Sequence, residues 1–172
     1  MIEVKIDSTQ VTAALDRLSR ASANPRPALL AIGESLLEST KKRFETSTGP
    51  DGVRWAPNSA ATYLGIVRGL GKSNFRKSGR LNKRGAERVS GKKPLIGASR
   101  SLSQQISYSV DADGLHLGSP MEYAAMQQFG GTKSKFPHLW GDIPARPFLG
   151  VSDSDEAMIV DTVSDYLKNA IG

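Results

Sequence analysis

Two periodicities mark the start of the chain. Residues 2–6 (IEVKI) alternate apolar and charged side chains, which is typical of a strand with one buried face. Beyond a cap at Asp7 or Ser8, apolar residues recur at the i, i+3, i+4 and i+7 spacing of an amphipathic helix. They are Val11, Ala14, Leu15 and Leu18. The pattern predicts a strand followed directly by a helix.

A longer helix is predicted after the segment SANPRP. Pro25 or Pro27 fits its first turn, where a missing backbone N–H leaves no hydrogen bond unmade. Its apolar side consists of Leu29, Leu36, Leu37, Thr40 and Phe44. Three cations, Lys41, Lys42 and Arg43, lie near its end and complement the negative pole of the helix dipole.

Turn residues separate this helix from the next one. Gly49-Pro50-Asp51-Gly52 favours tight turns, and Trp55 is large enough to anchor the loop to a core. A short helix is predicted from Ser59 onward. Trp55 is therefore interpreted first as a loop anchor and second as an interface residue.

The second half of the chain predicts short elements. A helical turn is expected over 101–105, then two strands over 105–112 and 115–120 joined at Asp113-Gly114, a strong hairpin signal. A helix within 121–131 should end at Gly130-Gly131. Residues 152–155 should cap the terminal helix, whose apolar face is Ile159, Val163, Tyr166, Leu167 and Ala170.

Length and composition favour one folded domain over residues 1–172. The 172 residues are 38% hydrophobic and 6% aromatic, which suits a single core with a long polar excursion. The absence of cysteine excludes disulfides, thiolate ligands and cysteine nucleophiles, and it suits a reducing compartment. With no secretion-signal pattern and no apolar run near the roughly 18 residues of a membrane span, we expect a soluble protein made in the cytoplasm.

The positive charge is concentrated in one segment, residues 65–100. The whole chain carries +6, whereas this segment carries eleven basic residues against one acid, Glu87. We interpret residues 66–98 first as a flexible basic insertion. The other interpretation is an arm that contacts duplex DNA phosphates or an acidic protein surface. Its candidate residues are Arg76, Lys77, Arg80, Lys83, Arg84 and Arg88. Its single aromatic residue, Phe75, provides no stacking platform for single strands.

Known catalytic and metal-binding patterns are incomplete in the sequence. GLGKS (69–73) resembles the end of a phosphate-binding loop, but Ile66 stands where the first glycine is required. His116 and His138 lack metal-ligand spacing, and no GxSxG motif occurs. Asp111, Asp113 and Asp142 are typical of turns. We therefore predict no catalytic, cofactor-binding or metal-binding residue, and no enzyme.

The order of the motifs resembles a known family along nearly the whole chain. Its most specific blocks are PDGVRW (50–55), YAAMQQFGG (123–131) and IPARPFLG (143–150). These resemble the phage virion morphogenesis family, the tail completion proteins of Mu-like and P2-like tailed phages and related prophages. Residues 65–90 depart from that pattern, so no role is carried over to them.

The resemblance implies a small α+β subunit without catalysis. Combined with the predicted elements, it gives a small antiparallel or mixed sheet packed by a long N-terminal helix and a C-terminal helix, with a long basic loop excursion. Such a subunit would sit in the virion, at the head-proximal end of the tail or in the head-tail neck, after assembly in the host cytoplasm.

The resemblance also implies partners. These are further copies in a ring, expected to be hexameric, together with tail terminator, tail tube or head-tail connector proteins. Residues 65–100 carry a net charge of +10, so six copies of this segment would bring about +60 around one axis, enough to hold duplex DNA in the lumen. No membrane partner is expected. The alternative function is a non-enzymatic nucleic-acid-binding protein that uses the basic loop.

Six residues of the family blocks are candidates for a subunit interface or a structural motif: Trp55, Tyr123, Gln127, Phe129, Arg146 and Phe148. Tyr123, Met126 or Gln127, and Phe129 are expected against the sheet, with direct subunit contact as the alternative. Pro144 and Pro147 restrict the backbone around Arg146. Arg146 is expected to pair with a carboxylate, within the subunit or across an interface.

Overall fold

The computed structural model describes residues 9–139 and 141–171. Within them it contains seven α-helices and a two-stranded antiparallel sheet, an α+β fold as predicted. The elements are α1 (Thr9–Ala23), α2 (Arg26–Thr46), α3 (Ala60–Gly69), α4 (Lys83–Ser90), α5 (Ser101–Gln104), β1 (Ser107–Val110), β2 (Leu115–Gly118), α6 (Ala124–Phe129) and α7 (Asp153–Ile171). The strand predicted over 2–6 and its following cap at Asp7 or Ser8 lie outside the described residues.

The described residues form two compact units, each assembled from separate parts of the chain. The first unit comprises residues 9–39, 107–118 and 151–171. The second comprises residues 40–139 and 141–150 without the segment 107–118. Helix α2 contributes its first part to one unit and its last turns to the other. The prediction of one domain over 1–172 stays a prediction.

Helices α1 and α7 pack against each other in the first unit. The half-buried residues of α1, Ala14, Leu18 and Ala21, lie at helical spacing on one stripe. Tyr166 of α7 donates its hydroxyl to the carbonyl of Asn24 at 2.6 Å. The predicted apolar face of α1 is only partly covered, because Val11 and Leu15 are 61% and 60% exposed.

The predicted hairpin is confirmed. Val110 pairs with Leu115 at the turn end and Ser107 with Gly118 at the other. The Asp111 amide donates to the Gly114 carbonyl at 3.0 Å, and Gly114 has φ +130°, which favours glycine. Gly33 of α2 leaves no room for a Cβ beside the Tyr108 side chain, so helix and hairpin approach closely there.

The predicted cap of the terminal helix is also confirmed. The Ser152 amide donates to Asp155 Oδ2 at 2.9 Å, and the Asp155 amide donates back to Ser152 Oγ at 3.3 Å. This reciprocal pairing satisfies donors that a helix start leaves unpaired, as in a capping box.

Helix α2 buries residues at four-residue intervals: Ala28, Ile32, Leu36, Thr40 and Phe44. This spacing keeps one side of a 3.6-residue helix toward the interior, so the predicted apolar side is largely confirmed. In the second unit, buried Leu102 and Ile106 accompany Phe44 in the core. The predicted helical turn after residue 100 is α5.

The basic segment is more structured than a continuous loop. It contains the end of α3, a 3-10 turn at Lys72–Asn74, an antiparallel bridge between Phe75 and Leu81, and α4. Asn82 caps α4 by accepting the Gly85 amide at 3.0 Å, and Gly85 lies against the backbone of Asn74 with no space for a Cβ. Residues 83–90, predicted as part of a long basic loop, form a helix instead, because local capping and close packing support it. The flexibility of 66–98 stays a prediction.

Candidate functional site

Three aromatic rings form the core beneath the candidate site in the second unit. Phe44 meets Trp55 edge to face with ring centroids 5.3 Å apart, and it meets Phe148 at 5.4 Å. Such pairs add about 0.5–1.5 kcal/mol to the burial of the rings. Trp55 also donates its Nε1 proton to the Pro147 carbonyl at 2.8 Å. Trp55 is therefore the predicted loop anchor, and Phe148 is a core residue.

Residues 143–147 pass closely over the end of α6. Gly131 and Ile143 form an antiparallel bridge whose two N–H···O distances are 2.9 and 2.8 Å. A Cβ on Gly130 would lie 2.7 Å from the Ala145 nitrogen, and φ at Gly130 is +71°. Only glycine combines that approach with that backbone angle. The Gly130-Gly131 pair therefore ends α6, as predicted, and brings it against the proline-flanked segment.

Arg146 belongs to this segment and is buried, with 7% of its surface exposed. Its Nε donates to the Ala56 carbonyl and its Nη2 to the Pro57 carbonyl, both at 2.8 Å. Its Nη1 lies 3.5 Å from Gln127 Oε1. Burial lowers the pKa of the guanidinium from its ordinary value.

The partners of Arg146 differ from the prediction. Its hydrogen bonds go to carbonyl and amide oxygens, and none of the described carboxylates lies within ion-pair distance. The predicted ion pair within the subunit is therefore wrong, because the loop at 56–57 presents two backbone carbonyls that a forked donor satisfies. A pair with a carboxylate of another subunit stays a prediction.

Two polar residues that sequence reasoning missed hold the next part of the chain. Gln128 Oε1 accepts the amides of Phe148 and Leu149 at 2.9 and 3.0 Å, and its Nε2 donates to the Leu149 carbonyl at 2.9 Å. Arg43 Nη1 donates to the carbonyls of Phe148 and Gly150, both at 2.9 Å. In the sequence, Gln128 is marked only by its position beside Gln127. Arg43 is marked only by its position directly before Phe44, which is buried.

Tyr123, which precedes α6, and Phe129, its last residue, are exposed, contrary to the prediction that they are packed inside. Phe129 is 78% exposed and Tyr123 is 47% exposed, while Ala124 is buried. Gln127 accepts the backbone amide of Arg146 with its carbonyl at 2.8 Å. A single turn and a half of helix has room for one inward stripe, and here small and amide side chains occupy it. Phe129 and Tyr123 lie on the surface.

The six predicted cations of the basic segment are all exposed: Arg76, Lys77, Arg80, Lys83, Arg84 and Arg88. Arg76 and Arg80 flank a turn closed by the Arg76 amide and the Arg80 carbonyl at 2.8 Å. Lys83, Arg84 and Arg88 lie on α4. Within the described part of the chain, none of the six is in an ion pair. This arrangement presents positive charge to solvent.

A cavity of about 540 Å³ opens beside Arg146 in the second unit. Its lining combines apolar Ile96, Leu102 and Ile143 with polar Asn58 and Ser59 and with the cations Lys92, Lys93 and Arg146. It can therefore accept a ligand or segment that carries both apolar and negatively charged groups.

Other chemistry is sparse among the described residues. His116 Nε2 lies 3.1 Å from Asp111 Oδ1, and both side chains are more than half exposed. Across 9–139 and 141–171, no three His, Asp or Glu side chains are grouped as a metal site would require. In the same residues, each helix is too short or too polar to span a bilayer.

Comparisons with known proteins add to this geometry. The chain is similar to the Mu-like prophage FluMu G protein 2 of Haemophilus influenzae, with 27% identity over 98% of this chain and 97% of that protein. It is similar to the putative capsid assembly protein G of Escherichia phage Mu, with 27% identity over 99% of this chain and 96% of that protein. No solved structure matches.

The model of one family matches residues 6–168. That range contains every block that carried the resemblance, including the residues around Trp55, α6 and Arg146. The chain belongs to the phage virion morphogenesis family.

Proposed function

We propose that this protein is a non-catalytic structural subunit that completes the head-proximal end of the tail of a phage or prophage and contributes to the head-tail neck. It would be made in the host cytoplasm and remain in the virion. Family membership supports an assembly role, and the phage Mu relative is described as a putative capsid assembly protein.

The observation that carries the proposal is the exposed Phe129 on α6. Its neighbours Gln127 and Gln128 are hydrogen-bonded to the backbone of residues 146–149, and Gly130 lies against Ala145. The backbone that carries Phe129 is therefore fixed while its ring is 78% exposed. A large aromatic side chain on a fixed backbone is typical of a protein contact.

The proposed contact is with further copies of the chain in a ring, and with terminator, tube or connector proteins above and below it. Head-to-tail contacts that close by rotation produce rings, and six copies would match the symmetry of a tail. In this arrangement Phe129 and Tyr123 bind a neighbouring protein, whereas Trp55 and Phe148 support them from the core.

The test is complementation of a phage or prophage whose copy of the gene is deleted. Phe129→Ala is expected to lower the yield of infectious particles at least about tenfold, because interface aromatics often contribute more than 1.4 kcal/mol to binding. Electron microscopy should show separate heads and tails. Leu64→Ala removes another exposed apolar side chain, 55% exposed on α3, and should keep the wild-type yield.

Wild-type yield with Phe129→Ala would contradict the role of α6, and normal tails in the deletion strain would contradict the proposed function. Mass measurement of the protein co-expressed with its tail partners tests the ring. A mass that corresponds to six copies per complex would support a hexamer. A mass that corresponds to one copy bound to one partner molecule would exclude a ring.

A second function, contact with duplex DNA, is favoured by the exposed and unpaired cations of the basic segment. Replacing Arg76, Lys77, Arg80, Lys83 and Arg84 by glutamine should abolish gel retardation of duplex DNA at low salt, because each cation releases counterions from phosphates. A matched variant in which five exposed cations outside the segment are replaced by glutamine should retain it: Arg17, Arg20, Lys133, Lys135 and Lys168. Unchanged retardation by the first variant would exclude DNA contact through this segment.

A further inference from the structure

The cavity beside Arg146 contains more positive than negative charge. Three of its lining residues are cations, Lys92, Lys93 and Arg146, and one is an acid, Asp142. The carboxylate of Asp142 already accepts the Lys133 amide at 2.7 Å. The cavity therefore carries an excess of two positive charges.

Each of these cations is bonded to neutral groups of its own chain. Lys92 Nζ donates to the Ile96 carbonyl, Lys93 Nζ donates to the Glu45 carbonyl at 2.6 Å, and Arg146 donates to the carbonyls at 56 and 57. None of the three is in an ion pair with a described carboxylate. Because carbonyls satisfy hydrogen bonds without cancelling charge, the cavity favours an anionic occupant.

A carboxylate-bearing peptide fits this cavity better than duplex DNA. Arg146 is 7% exposed and lines the cavity together with apolar Leu102 and Ile143, so the phosphates of a wide, rigid duplex do not fit there. The exposed cations of residues 76–88 suit phosphates instead. A narrow turn with acidic side chains can reach the cavity lining.

A second copy of the chain offers such a turn. The described residues of the first unit include ten acids and four bases, a net charge of −6, whereas the second unit includes five acids and 18 bases, a net charge of +13. The hairpin turn 111–114 of the first unit carries two exposed acids, Asp111 and Asp113. The Asp113 amide donates to Asp111 Oδ1 at 2.9 Å, which lowers the pKa of Asp111 and keeps it ionised.

We propose that the cavity of the second unit binds the acidic hairpin turn 111–114 of a neighbouring copy, so that its carboxylates pair with Lys92, Lys93 and Arg146. The contact joins two different surfaces, so repeating it produces a ring or a filament. This inference rests on the proposed assembly function and names the interface between copies.

The natural absence of cysteine allows a direct test. Ala112→Cys places a thiol on the exposed turn and keeps both acids, and Ser99→Cys places one in the cavity lining. When the two single variants are mixed and oxidised mildly, the mixed disulfide dimer should exceed either homodimer at least about tenfold, because docking raises the effective concentration of the two thiols. Ala13→Cys, exposed on α1, replaces Ala112→Cys in the control and should give no excess.

A charge exchange tests the chemistry of the contact. Lys93→Glu in the cavity variant should reduce the mixed dimer at least about fivefold, and Asp113→Lys in the turn variant should restore it, because the pair is again of opposite sign. Lys77→Glu, which lies outside the cavity lining, is the control. A mixed dimer in no excess, or one insensitive to Lys93→Glu, overturns the inference.

The outcome separates this inference from the proposed function. Charge-dependent cross-linking together with normal virions from a deletion strain would keep the interface and reject the tail role. A deletion strain without joined virions, combined with no selective cross-link, would keep the tail role and reject this interface.

Discussion

Arg43 and Arg146 are buried, whereas the arginines of the basic segment are exposed, and the two groups serve different purposes. The buried pair donates to backbone carbonyls of the loop at 56–57 and of residues 148–150. The exposed group at 76–88 has no ion-pair partner among the described residues. The cations at 76–88 thus form a solvated surface, while Arg43 and Arg146, each beside a phenylalanine or a proline, support irregular backbone.

The largest expected effect concerns Arg146→Lys. Lysine keeps the charge but reaches one carbonyl, which leaves a buried acceptor unpaired, so we expect the free energy of unfolding to fall by about 3 kcal/mol. Urea unfolding measures it. Arg54→Lys, exposed in the same unit, is the control and should change stability by less than about 0.5 kcal/mol. Equal effects of the two substitutions would remove the distinction between buried and exposed arginines.

A smaller effect on stability is expected within the basic segment, from the residue that caps α4. Asn82→Ala removes the acceptor of the Gly85 amide and should cost about 1 kcal/mol of stability in this helix. Amide exchange of residues 85–90 should accelerate about fivefold relative to the core. Asn169→Ala, exposed on α7, should leave those rates unchanged. Amides of α4 that exchange at the unprotected rate already in the wild type would support the flexible insertion instead.

The smallest effect is expected from the exposed arginines themselves. Exposed charges contribute little to stability. Each glutamine substitution at 76, 77, 80, 83 and 84 should therefore change the free energy of unfolding by less than about 0.5 kcal/mol. A mild stabilisation at low salt is expected as like charges are removed. Thermal unfolding at two salt concentrations measures both. A large loss of stability would mean that these side chains support the fold.

Local patterns predicted much of the fold. The spacing along α2, the Asp-Gly turn of the hairpin, the cap at Ser152 and Asp155, and the Gly130-Gly131 stop each depend on neighbouring residues. Such signals are readable because the chain itself supplies both partners. The family was also recognisable from the order of its blocks, and the match over 6–168 agrees with it.

Predictions fail for residues whose partners are distant in the sequence and for a helix cap that lies among many charged residues. Arg146 meets carbonyls about 90 positions earlier, which no periodicity reports. In α4, the density of lysine and arginine favoured a solvated loop, although Asn82 and Gly85 supply the cap and the close approach of a helix. The apolar character of Phe129 predicts burial, but a helix of six residues has too little inward surface for it, and its side chain is exposed.

Gly130 has a consequence for the range of sequences that this fold accepts. Any side chain there would meet the backbone at Ala145, and φ at +71° penalises every residue except glycine. Gly97, by contrast, has open space around it and an ordinary backbone angle. In a library that randomises both positions and selects for folding, position 130 should return glycine alone, while position 97 returns many residues. The tolerance of the chain to mutation is thus set by where backbone meets backbone.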